Sequence, residues 1–122
     1  MSENKQYIIQ KQENGSLLIS EDVLSTIVSH AISEVEGIDS LVTKPGSDIA
    51  EFIGKKNWGK GIKIQILDDE NVDVDCNVNI IYGYSVVNVA KAAQEAISSA
   101  VNAMTGVNAK SVNVNVCGII RQ

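Results

Sequence analysis

The chain has 122 residues, of which 44% are apolar, 20% charged and 4% aromatic; this matches one globular domain with an aliphatic core and excludes disorder or coiled coil for the whole chain. A formal net charge of −5 argues against general binding to nucleic acid or to an anionic membrane. No apolar run approaches the ~20 residues that span a bilayer, residues 1–6 carry no apolar leader segment, and one histidine with two distant cysteines leaves little for a zinc site, a His-based catalyst or a disulfide scaffold.

In chain order, residues 1–14 are polar apart from Tyr7, Ile8 and Ile9 and read as a flexible N-terminal extension, with one domain over residues 15–120. Gly15-Ser16-Leu17-Leu18-Ile19 reads as a first strand. Ser20 is a good N-cap, and Glu21 and Asp22 follow where the helix dipole favours negative charge. Val23, Leu24, Ile27, Val28, Ala31, Ile32 and Val35 then recur at helical spacing, and Gly37 is the expected stop. Residues 38–43 suit a short strand. Pro45-Gly46 breaks the chain, and Ser47 can cap a short helix carrying Ile49, Phe52 and Ile53. The glycine-rich stretch 54–61 predicts a loop.

Strict alternation follows. Ile62, Ile64 and Ile66 form one face of a strand; Val72, Val74, Cys76, Val78 and Ile80 form one face of the next, with Asp73, Asp75, Asn77 and Asn79 opposite. Asp68-Asp69-Glu70-Asn71 between them predicts a turn. Ser85 caps a second long helix whose expected buried stripe is Val86, Val89, Ala90, Ala93, Ile97, Ala100, Val101 and Met104, and Gly106 ends it. Val112, Val114 and Val116 alternate with Ser111, Asn113 and Asn115 in a last strand. The order β-α-β-(short α)-β-β-α-β predicts an α+β fold: a two-layer sandwich, mostly antiparallel, with two long helices on one face of the sheet. Strand order is left open.

Motifs of chemistry fare poorly. A calcium loop starting at Asp69 would need glycine and glutamate where Val74 and Ile80 stand. The glycine–lysine stretch at 54–61 lacks the spacing and the Ser/Thr of a phosphate loop. No nucleophile–base pair is visible, so no catalytic, cofactor or metal residues are assigned. His30 reads as a surface or boundary residue and Cys76 as core. Cys117 falls on the polar face of the last strand, with no basic residue beside it in sequence to lower its pKa.

Charge is unevenly spread. Five of the ten basic residues (Lys44, Lys55, Lys56, Lys60 and Lys63) fall within residues 44–63, whereas residues 68–75 hold five acids and no base. Lys55, Lys56, Trp58 and Lys60 are therefore the candidate interaction residues, with the indole as anchor. The plainer alternative folds Trp58 onto the sheet and leaves the lysines as solvation. The basic loop of one copy could also meet the acidic turn of another head to tail.

The succession of motifs resembles the alkaline-shock-protein family of small envelope-stress proteins, found mainly in Gram-positive bacteria. The resemblance runs from about Gly15 to Ile119 and rests on several segments together. These are Gly15-Ser16-Leu17-Leu18-Ile19-Ser20, Glu34-Val35-Glu36-Gly37-Ile38, Gly54-Lys55-Lys56-Asn57, Lys60-Gly61-Ile62-Lys63-Ile64, Val72-Asp73-Val74-Asp75, Ile81-Tyr82-Gly83, Met104-Thr105-Gly106-Val107 and Val112-Asn113-Val114-Asn115-Val116. It implies a non-enzymatic, cytoplasmic protein, abundant under stress, that associates with the inner face of the membrane, often through a membrane-anchored partner, and supports cell-envelope homeostasis. The residues themselves add the expectation of a homo-oligomer with no cofactor, no nucleic acid and no membrane span. An RNA-binding module and a small-ligand domain are the alternatives. The first lacks a GXXG loop and has acids on its sheet face; the second needs a deep pocket.

Overall fold

The computed structural model describes residues 7–42 and 61–121. They form β1 (Tyr7–Gln12), β2 (Gly15–Ser20), α1 (Glu21–Ser33), β3 (Ile38–Leu41), β4 (Ile62–Ile66), β5 (Asn71–Ile81), α2 (Val86–Thr105) and β6 (Asn108–Ile120). The architecture is the expected α+β sandwich, with two helices packed against each other and against a mostly antiparallel sheet. The short helix expected at Ile49–Ile53 lies outside the described residues.

The helices begin where side-chain chemistry sets their ends. The Val23 N–H donates to Ser20 Oγ at 3.3 Å, and the Asn88 N–H to Ser85 Oγ at 3.3 Å, so each serine satisfies a donor that the first turn leaves unpaired. Gly106 ends α2 at φ +77°, a left-handed cap. Gly37 does not end α1. That helix stops at Ser33 with Glu34 as its cap, and Gly37 instead lets the chain turn into β3. Its φ is +101°, and a Cβ there would lie 2.7 Å from Val89 Cγ2 and 2.9 Å from the Tyr84 ring.

β5 is the spine of the main sheet. β6 runs parallel along its whole length, from Asn71↔Asn108 to Ile81↔Ile120. The opposite side of β5 is shared end to end by β4, against Val72–Cys76, and β3, against Val78–Ile80, both antiparallel. Between them, the Asn77 N–H donates to the Gly61 carbonyl at 2.9 Å, and the Val42 N–H to the Asn77 carbonyl at 2.8 Å. β1 and β2 form a separate antiparallel hairpin.

The N-terminal expectation needs correcting: residues 7–12 are not part of a loose extension. Ile8 is fully buried opposite Ile19, and both join the common core. Gln10 Nε2 donates to the Thr105 carbonyl at 2.9 Å, tying the hairpin to the end of α2.

Among the described residues the core is aliphatic apart from Cys76. Leu24, Ile27, Val28, Ala31 and Ile32 of α1 and Val89, Ala93, Ile97 and Val101 of α2 cover Val72, Val74, Cys76, Val78 and Ile80 of β5. Each such Val, Ile or Leu contributes about 1.5–3 kcal/mol of burial. Val23, Val86 and Met104, assigned to the buried stripes by spacing, are 46%, 39% and 70% exposed. Each lies in a first or last helical turn.

Candidate interaction surface

The candidate residues Lys55, Lys56, Trp58 and Lys60 lie outside the described residues. The structure fixes the two points from which their segment is strung. The described chain ends at Val42 and resumes at Gly61, both bonded to Asn77 in the middle of the sheet. Gly61 has φ +75°, and a Cβ there would lie 2.8 Å from the Val42 carbonyl oxygen, so the two points touch through backbone alone.

The sheet face away from the core is an Asx surface. Ser111 Oγ donates to Asp73 Oδ1 at 2.8 Å, and Asn115 Nδ2 donates to Asn77 Oδ1 at 3.0 Å, so β5 and β6 are cross-linked by side chains as well as backbone. Alternation placed Asn77 in water, but it is 4% exposed, and among the described residues its Nδ2 has no hydrogen-bond partner. Its backbone bonds both Val42 and Gly61, where β3 gives way to β4.

The acidic turn is built as a structural clasp. Asp68 Oδ1 accepts from the Glu70 N–H at 2.7 Å and from Asn71 Nδ2 at 3.0 Å. Those bonds, led by the one from Glu70, hold its carboxyl below the usual carboxylate value. Asp69 Oδ1 accepts from the Ile9 N–H at 3.3 Å and fastens the hairpin to the turn. Two of the acids offered for head-to-tail contact are thus engaged within the chain.

Apolar side chains are exposed at the far end of β5. Tyr82 is 66% exposed, Val87 61%, Ile119 46% and Tyr84 40%. The corner is ordered by its own contacts. Arg121 lies over the Tyr82 ring, 5.5 Å from its centroid. The Tyr84 hydroxyl donates to Glu36 Oε2 at 3.1 Å, and that bond to a carboxylate raises the phenol's pKa. Ile81-Tyr82-Gly83 reads from sequence only as part of the family resemblance, not as a contact surface; the two tyrosines flanking Gly83 are the signal for one.

The remaining chemistry is sparse. Burial pushes the Cys76 thiol up to about 12, with the Asp75 charge adding to it. Cys117 is exposed, its pKa raised by partial burial, and Sγ lies 3.8 Å from the Asn115 carbonyl. His30 is a surface residue, 3.3 Å from Glu34 one turn on. An open trough of about 700 Å³ runs between α2 and β6, lined by Gln94, Glu95, Ser98, Ser99, Asn102, Ala109 and Val112. Among the described residues, no three His, Cys, Asp or Glu side chains group to hold a metal ion, and no helix is long and apolar enough to cross a membrane.

Comparison with known proteins adds what geometry leaves open. The chain is 35% identical over 108 residues to the uncharacterized protein Spy1535 of Streptococcus pyogenes serotype M6, covering 88% of this chain and 81% of that one. It is 30% identical over 105 residues to the uncharacterized protein YqhY of Bacillus subtilis (strain 168), covering 86% and 77%. Among solved structures, a variant of the MamM CTD superposes with a TM-score of 0.49 at 12% identity, covering 84% of this chain and 95% of that one. A family model described as having cell envelope-related function matches residues 9–121. The chain belongs to that cell envelope-related family.

Proposed function

We propose that this chain is a non-enzymatic protein of cell-envelope stress and homeostasis. It works by binding other proteins and copies of itself, and it docks at the cytoplasmic side of the membrane through a membrane-anchored partner. The observation that carries the reading is the family match over residues 9–121, with its cell envelope-related function. The structure supplies a surface in keeping with it. Tyr82 and Val87 stand out at one end of the sheet, and tyrosine is enriched where proteins dock. The basic stretch with Lys55, Lys56, Trp58 and Lys60 is the second candidate contact, on its charge pattern alone. The acids Asp73 and Asp75 on the outer sheet face oppose the RNA-binding alternative, because they repel phosphate.

The test is cross-linking in cells followed by affinity purification with the membrane fraction kept. Three forms are compared: the native chain, Lys55→Glu/Lys56→Glu/Lys60→Glu, and Tyr82→Ser/Val87→Ser. A membrane protein recovered with the native chain and reduced in at least one variant supports docking. Recovery unaffected by both variants, or lost on nuclease treatment, overturns it.

A further inference from the structure

We infer that β6 is a self-pairing edge, along which a second copy of this chain adds antiparallel to extend the sheet across a twofold axis. This rests on the self-association in the preceding reading and names its surface. Among the described residues, β6 pairs with β5 alone, so its other side is an edge of thirteen residues. Soluble proteins blunt such edges with short strands, proline, charge or a covering element. The opposite edge follows that rule, being split into β3 and β4 of four and five residues. β6 has no proline, and no charge between Lys110 and Arg121.

The sequence of the edge specifies the occupant. The pairing with β5 is irregular near Lys110 and near Cys117, leaving a regular run from Ser111 to Val116. Within it, Val112-Asn113-Val114-Asn115-Val116 reads the same in both directions. Antiparallel pairing about Val114 is isologous and sets Val112 against Val116 and Asn113 against Asn115, valine with valine on one face and asparagine with asparagine on the other, with no mismatch of polar against apolar. The three valines are only half-buried in the single chain. A twofold axis normal to the sheet keeps both pairs of helices on one face, so the two α2 helices would meet across the trough beside β6. Its α2 wall is made of small or polar side chains, Ser98, Ser99 and Asn102 among them. One adjustment is required: Gln94 Nε2 donates to the Val112 carbonyl at 3.0 Å and must yield if that oxygen is to pair.

Sedimentation equilibrium on the full chain supplies the first readout, and register-specific variants supply the second. The native chain should dimerise. Asn113→Lys/Asn115→Lys sets like charges opposite each other twice and should weaken the dimer about tenfold or more. Asn113→Lys/Asn115→Glu sets opposite charges in the same places and should restore it. Under oxidation, Val114→Cys in a Cys117→Ser background should form a covalent dimer, since directly opposed Cα atoms lie within disulfide reach. Native Cys117 should not, because its own copy would lie six residues away, ~20 Å along the strand. A dimer that ignores both charge variants, or that cross-links through Cys117 and not through Val114→Cys, overturns the β6 edge while leaving self-association standing. A chain that remains monomeric, its edge free or occupied by another protein's strand, overturns both.

Discussion

The placement of β1 in the core can be tested with one side-chain truncation. Ile8 is fully buried, whereas Ile9, its neighbour on the same strand, is 43% exposed. Ile8→Ala removes about three methyl or methylene groups, worth ~2.4 kcal/mol of transfer at ~0.8 kcal/mol each. The cavity left beside Ile19 adds to this, giving ~3–4 kcal/mol in all, inside the range of about 2–5 for Ile→Ala in cores. For a domain of this size that corresponds to a fall in Tm of roughly 10–20 °C. Urea unfolding followed by far-UV circular dichroism gives the energy directly, provided the slope m stays at the native value. Ile9→Ala, measured alongside, should cost less than about 1 kcal/mol. If the two substitutions cost the same, β1 is not a core strand and the domain begins later in the chain.

Other outcomes follow from single contacts. Asn77→Val removes a buried donor that has no partner among the described residues, at the cost of one bond from Asn115; the native protein should lose less than about 1 kcal/mol or gain stability by urea unfolding. Gly83→Ala and Gly37→Ala both place alanine at positive φ, but only at Gly37 would the new Cβ strike Val89 and Tyr84; Gly83→Ala should cost about 1 kcal/mol and Gly37→Ala ~1–3 kcal/mol more. Thiol titration of the folded chain at neutral pH should find Cys117 alone, and Cys76 only after unfolding. The folded Cys76 thiol keeps its proton to about 12 against an ordinary 9.0, so its share of stability is complete below pH 9 and is lost as pH rises from there towards 12. Cys76→Ala should flatten that alkaline loss.

Much of this fold could be read from local chemistry. Ser20, Ser85 and Gly106 mark helix ends because each side chain, or its lack, acts on the nearest turn. β4 and β5 announce themselves by alternation because one face is apolar and the other polar. The failures share a cause, which is dependence on distant partners. Tyr7-Ile8-Ile9 does not alternate, and only the core beneath Ile8 makes a strand of it. Asn77 is buried although it alternates with the polar face, because burial is set by whatever packs over a residue and not by its parity in the strand. The parallel pairing of β5 with β6 follows from α2 carrying the chain back along the sheet, and no single residue encodes it. Of the interaction surface, the charge pattern picked out Lys55, Lys56, Trp58 and Lys60, which lie outside the described residues. The exposed tyrosine corner became visible only once Tyr82 and Tyr84 were seen to have no place in the core.

The most direct test of the account is binding of the purified chain to inverted membrane vesicles from cells that lack it, before and after the vesicles are stripped with protease. Docking on a membrane-anchored protein predicts saturable binding that disappears on stripping. Undiminished binding to stripped vesicles or to protein-free liposomes, or no binding to either preparation, would contradict it.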